Sequence, residues 1–144
     1  MNFDFYIDKL NIISEKIKDC IKESTNQFDN SKHTLIIDLD ETLIHSQEIC
    51  IKDVKYNYSN FDKVLEENGI AFNVRPYLIE FLNFAKEKFN LIILSASNKD
   101  YIKSIIEELN IESYFYLILD KEFCINVDKV FIKDLDVFKQ LYPD

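Results

Sequence analysis

Asp38 and Asp40 stand two residues apart at the end of the apolar run Leu35-Ile36-Ile37, and Thr42 follows two residues later. An apolar run of that length reads as a buried strand. If the strand ends at Asp38 and the chain then turns, the two carboxylates converge at the carboxyl end of a sheet, where open α/β sheets bind their ligands. Two carboxylates so placed can divide a phosphoryl transfer between them. One attacks phosphorus, and the other donates and accepts protons. The same pair, Asp38 and Asp40, offers oxygen ligands to a hard cation such as Mg²⁺. Paired acids in a loop are ordinarily solvated or cap a helix. Here they follow an apolar strand and belong to the run Asp38-Leu39-Asp40-Glu41-Thr42-Leu43, which favours the chemical reading.

The elements that must position this pair follow from periodicity. Leu10, Ile13, Ile17 and Ile21 recur at helical spacing and predict an amphipathic helix over residues 3–23, within an N-terminal segment 1–26. This stripe either packs on the domain or serves as a partner or self-association surface. Polar residues 24–33 read as a linker. The first core strand is expected over 34–39, and the main domain over 33–144. Within the ambiguous stretch 47–68, Tyr56, Tyr58 and Phe61 suggest strand or irregular structure, and residues 64–67 a helical turn. Gly69 leads into a short strand, Ile70 to Val74. Arg75-Pro76 then opens a helix to about Phe89, with Pro76 at its first position. Leu78, Phe81, Leu82 and Ala85 are its expected buried face, and Asn90 its stop. Leu91 to Ser95 reads as a second strand, residues 99–109 as a helix capped by Ser97 or Asn98, and Tyr116 to Leu119 as a third strand. Val130-Phe131-Ile132 reads as a short strand before a final helical turn or two over 135–141. Strands alternating with helices imply a parallel sheet with helices on its faces.

Composition narrows the classes. The 144 residues suit one domain, and 47% hydrophobic with 30% charged residues is a globular balance. A net charge of -9 and a pI near 4.7 argue against direct nucleic-acid binding, which needs a basic stripe. Cys20, Cys50 and Cys124 have neither metal-ligand nor disulfide spacing, so a reducing intracellular compartment, nuclear or cytoplasmic, is expected. No stretch is long enough to span a membrane. The single arginine, Arg75, could grip a carboxylate or phosphate in two-pronged fashion, or make a structural ion pair. Lys99 and Lys121 lie just past the second and third expected strands and are candidates to contact substrate. His33 and His45 have no ligand or base context.

The run Asp38-Leu39-Asp40-Glu41-Thr42-Leu43-Ile44-His45-Ser46, then Val74-Arg75-Pro76, Leu94-Ser95-Ala96-Ser97 and Phe131-Ile132-Lys133-Asp134-Leu135 occur in an informative order. Together they resemble the haloacid dehalogenase superfamily, and within it the RNA polymerase II C-terminal-domain small-phosphatase type (the nuclear LIM interactor-interacting factor domain). The resemblance implies a haloacid-dehalogenase-like Rossmannoid α/β fold, here with an extra N-terminal helix and no large cap domain. It implies that Asp38 is the nucleophile that becomes an aspartyl-phosphate. Asp40 is then the acid and base, Thr42 orients the loop, Ser95 bonds a phosphoryl oxygen, and Lys133 neutralises charge. Lys129 is a weaker competitor for that last role.

The same resemblance calls for a further apolar strand, beside that of Asp38, ending in an acidic pair that completes a Mg²⁺ site. The chain reaches Asp144 without it, and Asp134, Asp136 and Asp144 are poor substitutes. The expectation is a C-terminally shortened member whose first strand is an exposed sheet edge, open to self-association. The leading function is a Mg²⁺-dependent phosphoserine/threonine protein phosphatase acting on a phosphoprotein. The alternatives are a catalytically weak phosphate-binding module and a small-molecule phosphatase.

Overall fold

The apolar runs that flank the acidic pair and the Ser95 segment become the central sheet. The computed structural model describes residues 2–49, 58–139 and 142. Along these the chain forms α1 (Phe3–Glu23), β1 (His33–Ile37), β2 (Ile44–Glu48), β3 (Lys63–Leu65), β4 (Ile70–Val74), α2 (Leu78–Lys88), β5 (Phe89–Leu94), α3 (Lys99–Leu109), β6 (Leu117–Leu119), β7 (Ile125–Val127) and β8 (Val130–Ile132). Cys50, Tyr56 and Asp144, all weighed above, lie outside the described residues.

The central sheet has the order β1-β5-β6 and is parallel throughout, with Ile37 opposite Ile93 and Leu94 opposite Leu119. Successive strand residues point to opposite faces, and β5 divides accordingly. Leu91 and Ile93 join a core with Leu78, Leu82 and Ala85 of α2 and Ile102, Ile105 and Ile106 of α3. Ile92 and Leu94 join a second core with Ile13 and Ile17 of α1 and with Val137 and Phe138. Because both faces are covered, β5 reads as continuous apolar sequence rather than as alternation. Burying a side chain of this kind contributes about 1.5–3 kcal/mol, so the apolar stripe of α1 packs on the domain and is integral to its core.

β1 pairs with β5 on one side and, among the described residues, with no strand on the other. Between β1 and α2 the chain builds a small antiparallel sheet of order β2-β4-β3, the whole of the insertion that the described residues record. A third sheet is the hairpin β7–β8. Its two-residue turn, Asp128-Lys129, has both residues at positive φ, the geometry that suits the right-handed twist of paired strands.

Several local expectations need correction. Pro76 lies in the turn before α2, not at its first position. Tyr77 takes the cap with a left-handed backbone (φ 64°), and Leu78 begins the helix. Phe81 is 42% exposed rather than buried, while Leu78, Leu82 and Ala85 form the buried face of α2. Asn90 does not stop α2 but belongs to β5. Its buried amide accepts the Asp29 N–H at 2.9 Å and donates to the Asp29 and Lys32 carbonyls, which pins the approach to β1. Residues 63–65 pair with β4 before a 3-10 turn at Glu66–Asn68, where a helical turn was expected. The last element is a 3-10 turn, Leu135–Phe138, within the 135–141 stretch.

Candidate active site

Asp38 follows directly on β1, and the chain turns there because one carbonyl gathers the turn. The Leu39 carbonyl accepts N–H bonds from Thr42 (3.3 Å), Leu43 (2.9 Å) and Ile44 (3.2 Å), and the Glu41 N–H reaches the Ile44 carbonyl at 2.8 Å. Glu41 adopts φ 60°, a left-handed conformation that the closed loop imposes on it. Leu39 and Leu43 are buried in the core, so the loop is anchored by alternate residues while Asp38 and Asp40 remain partly accessible. The Asp38 carboxylate accepts its neighbour's N–H, from Leu39, at 2.8 Å.

Lys133 arrives from the opposite side, just past β8, and its Nζ lies 2.7 Å from Asp38 Oδ1. Both side chains are part exposed, so the pair contributes little to stability; its significance is the cation it places on the carboxylate. Ser95, 1% exposed, ends β5 at the same rim. Its N–H is bonded to the Leu119 carbonyl at 2.9 Å, and its Oγ accepts the Ser97 N–H at 3.1 Å. Cys124 is buried beside this cluster, and burial pushes its thiol pKa up, away from the thiolate.

Asp40 lines an open groove of about 1040 Å³ whose walls include Ser46, Gln47, Ser97, Tyr101, Lys121 and Phe131. Ser97 donates to Asp40 Oδ2 at 2.8 Å, and the Tyr101 hydroxyl donates a short bond to Asp40 Oδ1. The Ser46 Oγ lies 2.5 Å from the same Tyr101 oxygen. Burial, then the bond to Asp40 and the nearby carboxylates, hold the Tyr101 pKa well above its ordinary value, so the phenol stays protonated.

The remaining sequence candidates fall in different places. Lys121 lines the groove, with its ammonium 5.9 Å from the Phe131 ring centroid. Lys99 borders a separate, smaller hollow along α3, with Ile102 and Asp120. Arg75 grips the nucleophile loop from behind: Nη2 donates to the Glu41 carbonyl at 3.1 Å, Nε bonds the Thr42 carbonyl, and its own N–H reaches the Leu43 carbonyl at 3.0 Å. Thr42 is exposed on that loop. His45 pairs with Glu41 at 2.7 Å, and Lys129 occupies the hairpin turn. Asp134 accepts the Tyr6 hydroxyl at 2.6 Å and Asp136 pairs with Lys139 at 2.8 Å, so each is engaged by another partner.

Among the described residues no three His, Cys, Asp or Glu side chains cluster as an ion cage. The donor set at Asp38 and Asp40 is still compatible with Mg²⁺, which is commonly held by one or two carboxylates with substrate phosphate and water completing the shell.

Sequence reasoning missed Tyr101 and weighed Ser97 only as one of two helix-cap candidates. Asn98, the other, is the cap, accepting the Tyr101 N–H at 2.9 Å. The available signal was spacing. Ser97 and Tyr101 are four apart around a helix start, and such residues share a face.

Comparison with known proteins places the chain. It is 35% identical over 111 residues to CTD small phosphatase-like protein 1 of Caenorhabditis elegans, a match covering 74% of this chain and 22% of that protein. It is 30% identical over 120 residues to human carboxy-terminal domain RNA polymerase II polypeptide A small phosphatase 2, covering 81% and 42%. Nuclear envelope morphology protein 1 of Saccharomyces cerevisiae matches at 35% over 121 residues, covering 75% and 26%. In each case the match covers less than half of the relative's length. Among solved structures, a fission yeast RNA polymerase II CTD phosphatase bound to beryllium fluoride aligns at 21% identity and TM-score 0.47, covering 76% of this chain and 33% of that one. The model of the NLI interacting factor-like phosphatases matches residues 33–143, a span that holds Asp38, Asp40, Ser95 and Lys133 together, and the chain therefore belongs to that phosphatase family.

Proposed function

We propose that this chain is a phosphoserine/threonine protein phosphatase that works through a phosphorylated Asp38. The observation that carries the reading is the 2.7 Å contact between Lys133 Nζ and Asp38 Oδ1, made by residues from opposite ends of the family domain. A carboxylate attacking a phosphate dianion meets charge repulsion, and a lysine fixed at the nucleophile offsets it. An Asp38 oxygen bonds to phosphorus as the bond to the serine or threonine oxygen breaks, and Asp40 gives its proton to that leaving oxygen. Asp40 then takes a proton from water, whose oxygen displaces Asp38 from phosphorus and releases inorganic phosphate. Ser95 serves as a hydrogen-bond donor to the phosphoryl group at the rim of β5, and Thr42 supports the loop. Mg²⁺ held by Asp38 and Asp40 would supply further neutralisation of phosphate charge.

The groove beside Asp40 is open and long-walled, which supports a phosphoprotein as substrate over a small metabolite. Lys121 is its cation for substrate, with Lys99 more distant. Arg75 acts in this reading chiefly by holding the loop. An intracellular site of action, nuclear or cytoplasmic, fits a phosphoprotein partner. Self-association through the open side of β1 is a companion proposal, and a concentration-independent monomer in sedimentation would remove it.

The test is hydrolysis of an aryl phosphate with and without Mg²⁺ by the wild-type chain and its Asp38→Asn variant. Metal-dependent turnover that vanishes in the variant is the expected result. The second reading, a phosphate-binding module with weak turnover, draws on one observation: among the described residues no third His, Cys, Asp or Glu clusters with Asp38 and Asp40 as a possible ion ligand. Tight binding of a phosphopeptide without turnover would select it.

A further inference from the structure

We infer that Tyr101 and Ser97 form a two-point cradle that fixes the Asp40 carboxylate for proton transfer, with Ser46 setting the direction of the Tyr101 hydroxyl. The inference rests on the proposed phosphatase chemistry and goes beyond it by naming positioning residues for its acid and base.

The geometry is specific. Each Asp40 oxygen receives a different hydroxyl: Oδ1 that of Tyr101, Oδ2 that of Ser97 at 2.8 Å. Two donors on two oxygens fix the rotation of a carboxylate plane, which one donor does not. Tyr101 has a single hydroxyl proton and gives it to Asp40, so in the 2.5 Å contact between Ser46 Oγ and the Tyr101 oxygen the serine is the donor. A chain of hydroxyls therefore runs Ser46 to Tyr101 to Asp40. The three hydroxyls come from different places: Ser46 from β2, Ser97 from the approach to α3, and Tyr101 from the first turn of α3. The Asn98 cap fixes the start of α3 by accepting the Tyr101 N–H at 2.9 Å, and the hydroxyl of the same residue bonds the acid.

Each carboxylate oxygen has two lone pairs, so the cradle leaves capacity for the proton that Asp40 must carry to the leaving oxygen. Lys121 and Phe131 line the same groove as the cradle. Proton transfer by a positioned side chain contributes about 10²–10⁴-fold, and misplacement forfeits part of that factor.

The test is a leaving-group comparison. kcat/KM reports the step in which the leaving oxygen departs. Phenyl phosphate needs its proton there, and 2,4-dinitrophenyl phosphate needs it far less. In Tyr101→Phe and in Ser97→Ala the ratio of phenyl to dinitrophenyl kcat/KM falls about tenfold or more from the wild-type ratio. The double variant falls further, Ser46→Ala falls less, and Ser97→Thr, which keeps the hydroxyl, restores the ratio. Equal losses on both substrates, or no loss, from an enzyme whose turnover depends on Asp38 would overturn the cradle and leave the phosphatase reading standing. Absence of Asp38-dependent turnover in the wild type would overturn both. If Tyr101→Phe does not fold, Ser97→Ala against Ser97→Thr decides the matter alone.

Discussion

The two sides of the site are built by opposite means. The Asp38 side is a loop that closes on itself, with three N–H groups on one Leu39 carbonyl and Arg75 gripping the carbonyls of Glu41 and Thr42. The Lys133 side is a short hairpin of two three-residue strands followed by a 3-10 turn. It is held from outside by α1. Tyr6 bonds Asp134, 128 positions away, at 2.6 Å; Lys9 Nζ bonds the Asn126 carbonyl at 3.0 Å; and Lys16 Nζ bonds the Glu122 carbonyl at 3.2 Å. The family match begins at residue 33, so the brace comes from a helix that precedes the family domain. A nucleophile must be placed once and rigidly, and local hydrogen bonds suffice for that. A lysine on a short hairpin borrows its rigidity from a neighbour.

The largest expected effect strikes the point where the sides meet. Lys133→Met removes the cation on Asp38 and keeps most of the side-chain bulk. We expect kcat on an aryl phosphate to fall about 10²–10³-fold, the range for loss of one fixed electrostatic group. Thermal stability should change little, because the ion pair is partly exposed. Steady-state kinetics with a parallel melting curve checks both. A loss of less than about threefold would mean that Lys133 is not part of the machinery, and the two-sided description would fail.

Next comes the brace itself. Ile17 is fully buried between α1 and the sheet, and Ile17→Ala should cost about 2–5 kcal/mol by cavity formation. Ile12, 60% exposed on the same helix, should tolerate alanine within about 0.5 kcal/mol. Urea unfolding of the pair measures the contrast. Equal, small effects would show that α1 is an appendage and not a wall of the core.

Arg75→Ala attacks the other side. Hydrogen bonds from a charged donor are worth about 1.5–3 kcal/mol, so a loosened loop should lose about tenfold or more in kcat/KM. The two jobs proposed for Arg75 separate by substrate. A loop clamp costs the same factor on an aryl phosphate and on a phosphopeptide. A substrate ligand raises KM for the peptide alone.

The same contrast explains what the sequence made legible. Asp38, Asp40 and the β1 run are contiguous, so local reading found both the strand and the turn. The helix 99–109 was equally plain, since capping and periodicity agree there. The hairpin β7–β8 was read only as its second strand, because three-residue strands carry almost no periodicity and its turn is Asp128-Lys129 rather than a glycine pair. Tyr101 went unseen as a site residue because its partner is 61 positions away, and an aromatic on an amphipathic helix looks like core. Phe81 shows a related limit: helical spacing gives a face, and says nothing of how wide a strip of it is covered.

Tyr6→Phe tests the brace at its finest point. The variant keeps the ring and removes only the hydroxyl that reaches Asp134, next in sequence to Lys133. Part exposure puts the stability cost at about 0.5–1 kcal/mol, the lower end for such a bond. Its pH dependence identifies it. The bond to Asp134, with lesser help from burial and the neighbouring carboxylates, pushes the Tyr6 phenol up to about 12 from an ordinary 10.0. Between those values the unfolded chain releases the proton and the folded chain retains it, so stability falls as pH rises. The contribution is full below pH 10 and is gone once pH passes through about 12. The gap between wild type and Tyr6→Phe in urea unfolding should therefore be constant from pH 7 to 9 and close across that alkaline window. A gap that persists unchanged above pH 12, or no gap at neutral pH, would mean that the hydroxyl bears no load and that α1 steadies the Lys133 arm through its apolar face alone.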